Sequence, residues 1–244
     1  MTLGFVVWRL AYLGPEERHN EPDGDPARAA SLARGRVVAR MLTPLVGLAV
    51  PVAIALDHLA HLPVARWTLI VAASVLVGAL LVGVDRVVAA RVAMAAALVA
   101  LLGWAAGGAG VGVAGVVRGL HLVAFGLWLG GAAWNLTVAV PIGMRHPSPA
   151  AVESGARQLQ RFRRVARAAV PTVIATGVLM ALPYLDTAGD LVATAPGRYV
   201  VAKAGLIVAL VVIFIVCPLY RQCSPVAGVC ERPSGGPRTG HGGE

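Results

Sequence analysis

Six long apolar runs, separated by short polar stretches, organise the chain from residue 41 onward. They fall at about 41–60, 67–84, 92–115, 119–142, 166–185 and 199–219. Each approaches the roughly 20 residues that an α-helix needs to cross about 30 Å of hydrocarbon. The pattern predicts an all-α fold, a polytopic integral membrane bundle of about six transmembrane helices. The third run is the most unusual, because its second half reads GGAGVGVAG. Glycine weakens a helix in water, but in lipid it lets neighbouring helices approach closely.

The segments between the runs differ in charge, and the difference alternates. Arg28, Arg34, Arg36 and Arg40 precede the first run, Arg86 and Arg91 follow the second, and Arg145, Arg157, Arg161, Arg163, Arg164 and Arg167 follow the fourth. Arg221, Arg232 and Arg238 follow the sixth, whereas the first, third and fifth loops carry only Arg66, Arg118 and Arg198. Arginine collects on the cytoplasmic side of membrane proteins, so both termini are expected inside. The chain then divides into a cytoplasmic segment over 1–40, a three-span region over 41–115, a second membrane unit over 116–220 and a disordered cytoplasmic tail over 221–244. Met1 to Leu13 is apolar but weakly amphipathic and interrupted by Arg9, which suits the membrane interface better than a signal peptide. Residues 14–40 are polar and rich in Pro and Gly, and read as a loose segment that becomes helical near the membrane.

Composition supports the same class. Apolar residues are 57% of the chain and charged residues 14%, against about 25% charged in a soluble domain. Too few polar side chains remain to coat a soluble protein, so the lipid bilayer is the expected solvent. The net charge of +9 does not indicate nucleic acid, because the arginines flank apolar runs and form no patch interleaved with aromatics. Cys217, Cys223 and Cys230 are too few and too late for a disulfide framework, and a closed thiolate site in the tail needs more ligands than they supply. No phosphate loop, HExxH motif or nucleophile elbow occurs, so a soluble type of catalysis is not expected.

Function is most legible where ionisable groups enter the spans, since such groups are costly there. Asp57, His58 and His61 lie at the outer end of the first run, in IALDHLAHL. The two histidines are three residues apart and share a helix face. They suit a metal site with Asp57 as ligand or supporting acceptor, or an interfacial cap. His121 opens the fourth run and Lys203 lies in the sixth; both fall on the outer side by the same topology. Lys203 is the sole lysine of a chain whose other basic residues are arginine. It either snorkels to the headgroups or supplies an ammonium that arginine would not match. Three helices thus point ionisable groups at one level, which predicts a polar site open to the outer face. Met180 adds a soft sulfur near that level. Gly126, Gly130 and Gly131 form a GxxxG-like helix-packing stripe with Trp128 beside it. Thr176 and Gly177 are expected to serve helix packing, and Pro51 and Pro171 to kink their helices.

Three segments carry a family resemblance: HLVAFGLWLGG at 121–131, RFRRVARAAVPTVIATGVLMAL at 161–182, and GRYVVAK at 197–203. In order and spacing they resemble the copper resistance protein D family of bacterial inner-membrane proteins, over about residues 117–220. The resemblance implies a membrane domain associated with copper uptake or tolerance, in the inner (plasma) membrane, working with a copper-handling membrane or periplasmic partner. It carries over His121, Trp128, Gly130, Gly131, Thr176, Gly177 and Lys203, and nothing in the first three spans. The chain departs from a persuasive copper protein in lacking Met-rich and His-rich outer loops. The first and third segments also resemble helices of the membrane protoporphyrinogen oxidase family, which implies haem held by histidine. A non-catalytic membrane partner or assembly protein is the remaining alternative to copper handling.

Overall fold

The described parts of the six apolar runs are mostly helical, and the described residues contain no strand. A computed structural model describes residues 1–18, 26–55, 63–145, 149–185 and 187–216. The helices are α1 (Thr2–Arg18), α2 (Pro26–Ala55), α3 (Pro63–Val82), α4 (Val87–Ala109), α5 (Val113–Trp134), α6 (Val140–Arg145), α7 (Pro149–Ala181), α8 (Asp190–Ala193) and α9 (Ala195–Val216). A π-helical turn at Asn135–Ala139 joins α5 to α6 without a break. Among the described residues, four helical segments are long and apolar enough to cross a bilayer: Val87–Ala109, Val113–Arg145, Gly155–Tyr184 and Ala195–Val212. The described part of α3, Arg66–Val82, is a shorter apolar helix, and the apolar half of α2 follows Arg40 in a helix interrupted by Pro44 and Pro51. The protein is a multi-pass helical membrane protein.

The third and fourth runs divide earlier than their hydropathy suggests. Gly110 has φ +74, a left-handed conformation that favours glycine, and its N–H bonds back to Ala106 O. The helix therefore stops at the glycine-rich stretch, and α5 starts at Val113. Arg118 consequently lies within α5, not in a loop, and its guanidinium lies against Gly108, where a Cβ would collide with it. His121 is likewise about two turns, or roughly 12 Å, inside the helix.

The larger surprise is α1. Leu3, Phe5, Val6 and Trp8 are buried in the central cluster, and Arg9 is 1% exposed. The segment expected at the interface is part of the core. Glycine makes this entry into the bundle feasible. A Cβ on Gly4 would strike the backbone of Gly126 and Leu127, and a Cβ on Gly130 would strike the backbone of Met1, Gly4 and Phe5. The two helices meet main chain to main chain. Gly131 leaves room for Trp8 and Phe162, whose rings meet edge to face at 5.6 Å. Phe5 packs on Trp134 the same way at 5.1 Å. Lipid is as apolar as these side chains, so dispersion in close contacts, not escape from water, must hold α1 here. Trp8 Nε1 also donates to Leu127 O at 3.2 Å.

Arginines tie this core to the loops at one end. Arg9 donates to the carbonyl of Asp85 in the turn between α3 and α4. Arg36 of α2 grips the Asp85 carboxylate with Nε at 2.9 Å and a terminal nitrogen at 2.6 Å. Gly83, at φ +115, lets the turn close, and a Cβ there would meet the Asp85 carboxylate. Partial burial pushes the Asp85 acid upward in pKa. The Arg36 hydrogen bonds, a backbone bond and the charges of Arg36 and Arg86 outweigh it, so its pKa is lowered. Arg34 Nε donates to Thr137 O at 2.5 Å, inside the π turn. There the ladder slips by one residue, with Val140 N–H bonding to Asn135 O. Such a slip leaves a carbonyl short of a helical partner, and Arg34 supplies one. Asn135, 2% exposed, donates to Gly131 O at 2.8 Å.

Two predictions follow from this packing. Gly130→Val forces α1 off α5 and should lower stability by about 1–3 kcal/mol, seen as an earlier thermal transition in detergent. Gly78→Val, at a site with open space around it, should leave the transition in place. Asp85→Asn should lower the melting temperature at neutral pH. Because the folded carboxyl titrates below its unfolded value, the contribution is complete above the ordinary carboxylate range near 4. It disappears as pH falls through the folded pKa, so the wild-type and Asn proteins should converge in acid.

Candidate functional site

The buried side of α7 follows a helical stripe: Leu159, Phe162, Ala166, Ala169, Val173 and Thr176 are all buried. The spacing alternates between three and four residues, which puts them on one face, and α5 packs along α7. Thr176 is the polar member of that stripe. It meets His121 of α5, with Nδ1 2.9 Å from Thr176 Oγ1. The same hydroxyl lies 2.5 Å from Thr172 O and 3.3 Å from Val173 O, the back-bond to the preceding turn that threonine commonly makes in a helix. Gly177 lies under the ring, where a Cβ would stand 3.5 Å from His121 Cε1. Met180 is half-buried and one turn beyond Thr176 on the same face, with side chains on α7 leaning back toward that turn.

His121 is half-buried, so one edge of the ring is fixed on α7 and the rest is not enclosed. Lys203 is exposed on α9. The structure thus brings His121, Thr176 and Gly177 together. Asp57, His58 and His61 lie outside the described residues, as do Cys217, Cys223 and Cys230. Among the described residues, no three His, Cys, Asp or Glu side chains are grouped to hold an ion.

The packing glycines sit elsewhere on α5. Gly126 and Gly130 face α1, Gly131 faces Trp8 and Phe162, and Trp128 is 4% exposed. The sequence alone points to Thr176 as a packing residue. Its 55-residue separation from His121 hides the hydrogen bond, although its place in the buried three-and-four stripe of α7 was a usable sign.

Residues 156–236 match the family model of copper resistance protein D. The match begins in α7 and continues through α9, so it includes Thr176, Gly177 and Lys203 but not His121. No curated protein and no solved structure matches the chain. The family resemblance noted in the sequence is therefore borne out over the α7–α9 stretch, of which α7 carries the Thr176 that meets His121.

Proposed function

We propose that this protein handles copper at a site on the outer side of the inner membrane, with His121 as a ligand. The observation that carries the reading is the His121–Thr176 contact: a histidine in an apolar span is held by the segment that matches a copper-associated family. The reading includes six spans with both termini in the cytoplasm, as the arginine distribution favours. It places His58, His61 and Asp57 at the same level as further ligands. Imidazole suits copper in either oxidation state, and the thioether of Met180 suits Cu(I). Lys203, at the same membrane level by the arginine topology, would favour the same choice, since an ammonium repels a divalent ion twice as strongly as a monovalent one. The protein would pass the ion to, or receive it from, a membrane or periplasmic partner.

A second reading has support from α9. Only 6% of its apolar window is buried within the chain, although it carries Lys203. Such a helix suits a subunit that packs against a neighbouring membrane protein. No observation among the described residues favours haem.

The test is copper binding by purified protein in a competition assay with a colorimetric Cu(I) chelator. His121→Ala should weaken binding by about tenfold or more. Equal binding by wild type and variant rejects the site. A stable stoichiometric complex with another membrane protein, coupled with no copper binding, selects the second reading.

A further inference from the structure

We propose that Thr176 is a positioning residue that holds His121 as its Nδ1–H tautomer and leaves the Nε2 lone pair as the open, ligating atom. The inference deepens the copper reading and rests on it for the identity of the ligand, but its tautomer claim stands on hydrogen-bond geometry.

A neutral imidazole has one donor and one acceptor nitrogen, and the tautomer follows from what each nitrogen meets. Nδ1 lies 2.9 Å from the Thr176 hydroxyl oxygen. A hydroxyl has one proton to give. Here that proton has a carbonyl 2.5 Å away, Thr172 O, in a favourable back-bonding position. The oxygen therefore turns its lone pairs to the ring and accepts. The second partner agrees. Val173 O also lies 3.3 Å from the same hydroxyl, and a carbonyl can only accept. With its own proton committed to α7 carbonyls, the Thr176 oxygen accepts, which puts the ring proton on Nδ1.

The chain Thr172 O, Thr176 Oγ1, His121 Nδ1 then runs in one direction, each O–H or N–H donating to the next oxygen. Thr176 is 7% exposed, so water does not compete for it. Gly177 lies beside the ring, where even a Cβ would stand in ordinary van der Waals contact with Cε1. The opposite nitrogen, Nε2, is then unprotonated, the form a metal requires. An imidazole whose other nitrogen is anchored is the usual state of a metal-binding histidine, and loss of the anchor costs about 10–100-fold in affinity.

Two variants separate the hydrogen bond from packing. Thr176→Val keeps the shape and removes the oxygen; Thr176→Ser keeps the oxygen and removes a methyl group. Protein carrying ¹⁵N-labelled histidine in lipid nanodiscs is compared with His121→Asn to assign the His121 signals. In wild type and Thr176→Ser, Nδ1 should appear protonated and Nε2 bare. In Thr176→Val, the proton should shift toward Nε2. Cu(I) affinity, measured by chelator competition on the same samples, should fall about tenfold or more in Thr176→Val and recover in Thr176→Ser.

A wild-type spectrum with Nε2 protonated overturns the inference, and so does a Thr176→Val spectrum unchanged from wild type, even where copper binds. Conversely, the expected tautomer pattern with no copper bound by any variant upholds Thr176's hold on the ring while rejecting the copper reading.

Discussion

Backbone must touch backbone where α1 meets α5, and glycine is the residue that allows it. Gly4 and Gly130 lie where any Cβ would collide with main chain, and it is the backbone of Gly126 that Gly4 meets. Close approach then brings Phe5 onto Trp134 and Trp8 onto Phe162, so α1 joins α5 to α7 through its aromatic side chains. In lipid there is no solvent to be escaped, and a helix stays in a bundle through the density of its contacts. A single added side chain at Gly130 removes that density along the whole contact.

The placement of α1 also decides what α5 offers on its other side. His121 and Gly126 are five residues apart, about 140° around the helix. With the glycine face committed to α1, His121 turns to α7 and finds Thr176. At the arginine-rich end, α1 brings Arg9 to the Asp85 turn, where Arg36 already holds the carboxylate. The bundle is thus pinned by charge and hydrogen bonds at one end and by glycine packing at its middle. The histidine lies farther along α5, away from the pinned end.

Much of this was readable in the sequence, and the unreadable parts have physical causes. The apolar runs declare themselves because spanning hydrocarbon demands about 20 apolar residues in a row. The glycine stripe in HLVAFGLWLGG declares a helix contact, but not its partner. The partner, α1, looks like an interfacial segment because Arg9 interrupts it. The Asp85 carbonyl receives the arginine, a contact 76 residues away that the sequence does not reveal. The boundary between α4 and α5 depends on one glycine conformation at Gly110 that hydropathy cannot register. His121 stood out as an ionisable group in an apolar run, whereas Thr176 did not, because a threonine in a membrane helix is unremarkable until a histidine is placed opposite it.

The proposed site holds copper through an imidazole fixed on the α5–α7 contact. An X-ray absorption spectrum at the copper edge of the loaded protein tests it most directly. The account predicts imidazole scattering with nitrogen at about 2 Å, lost in part when His121 is replaced. A copper ion surrounded by sulfur alone, with a spectrum unchanged by that replacement, would contradict it.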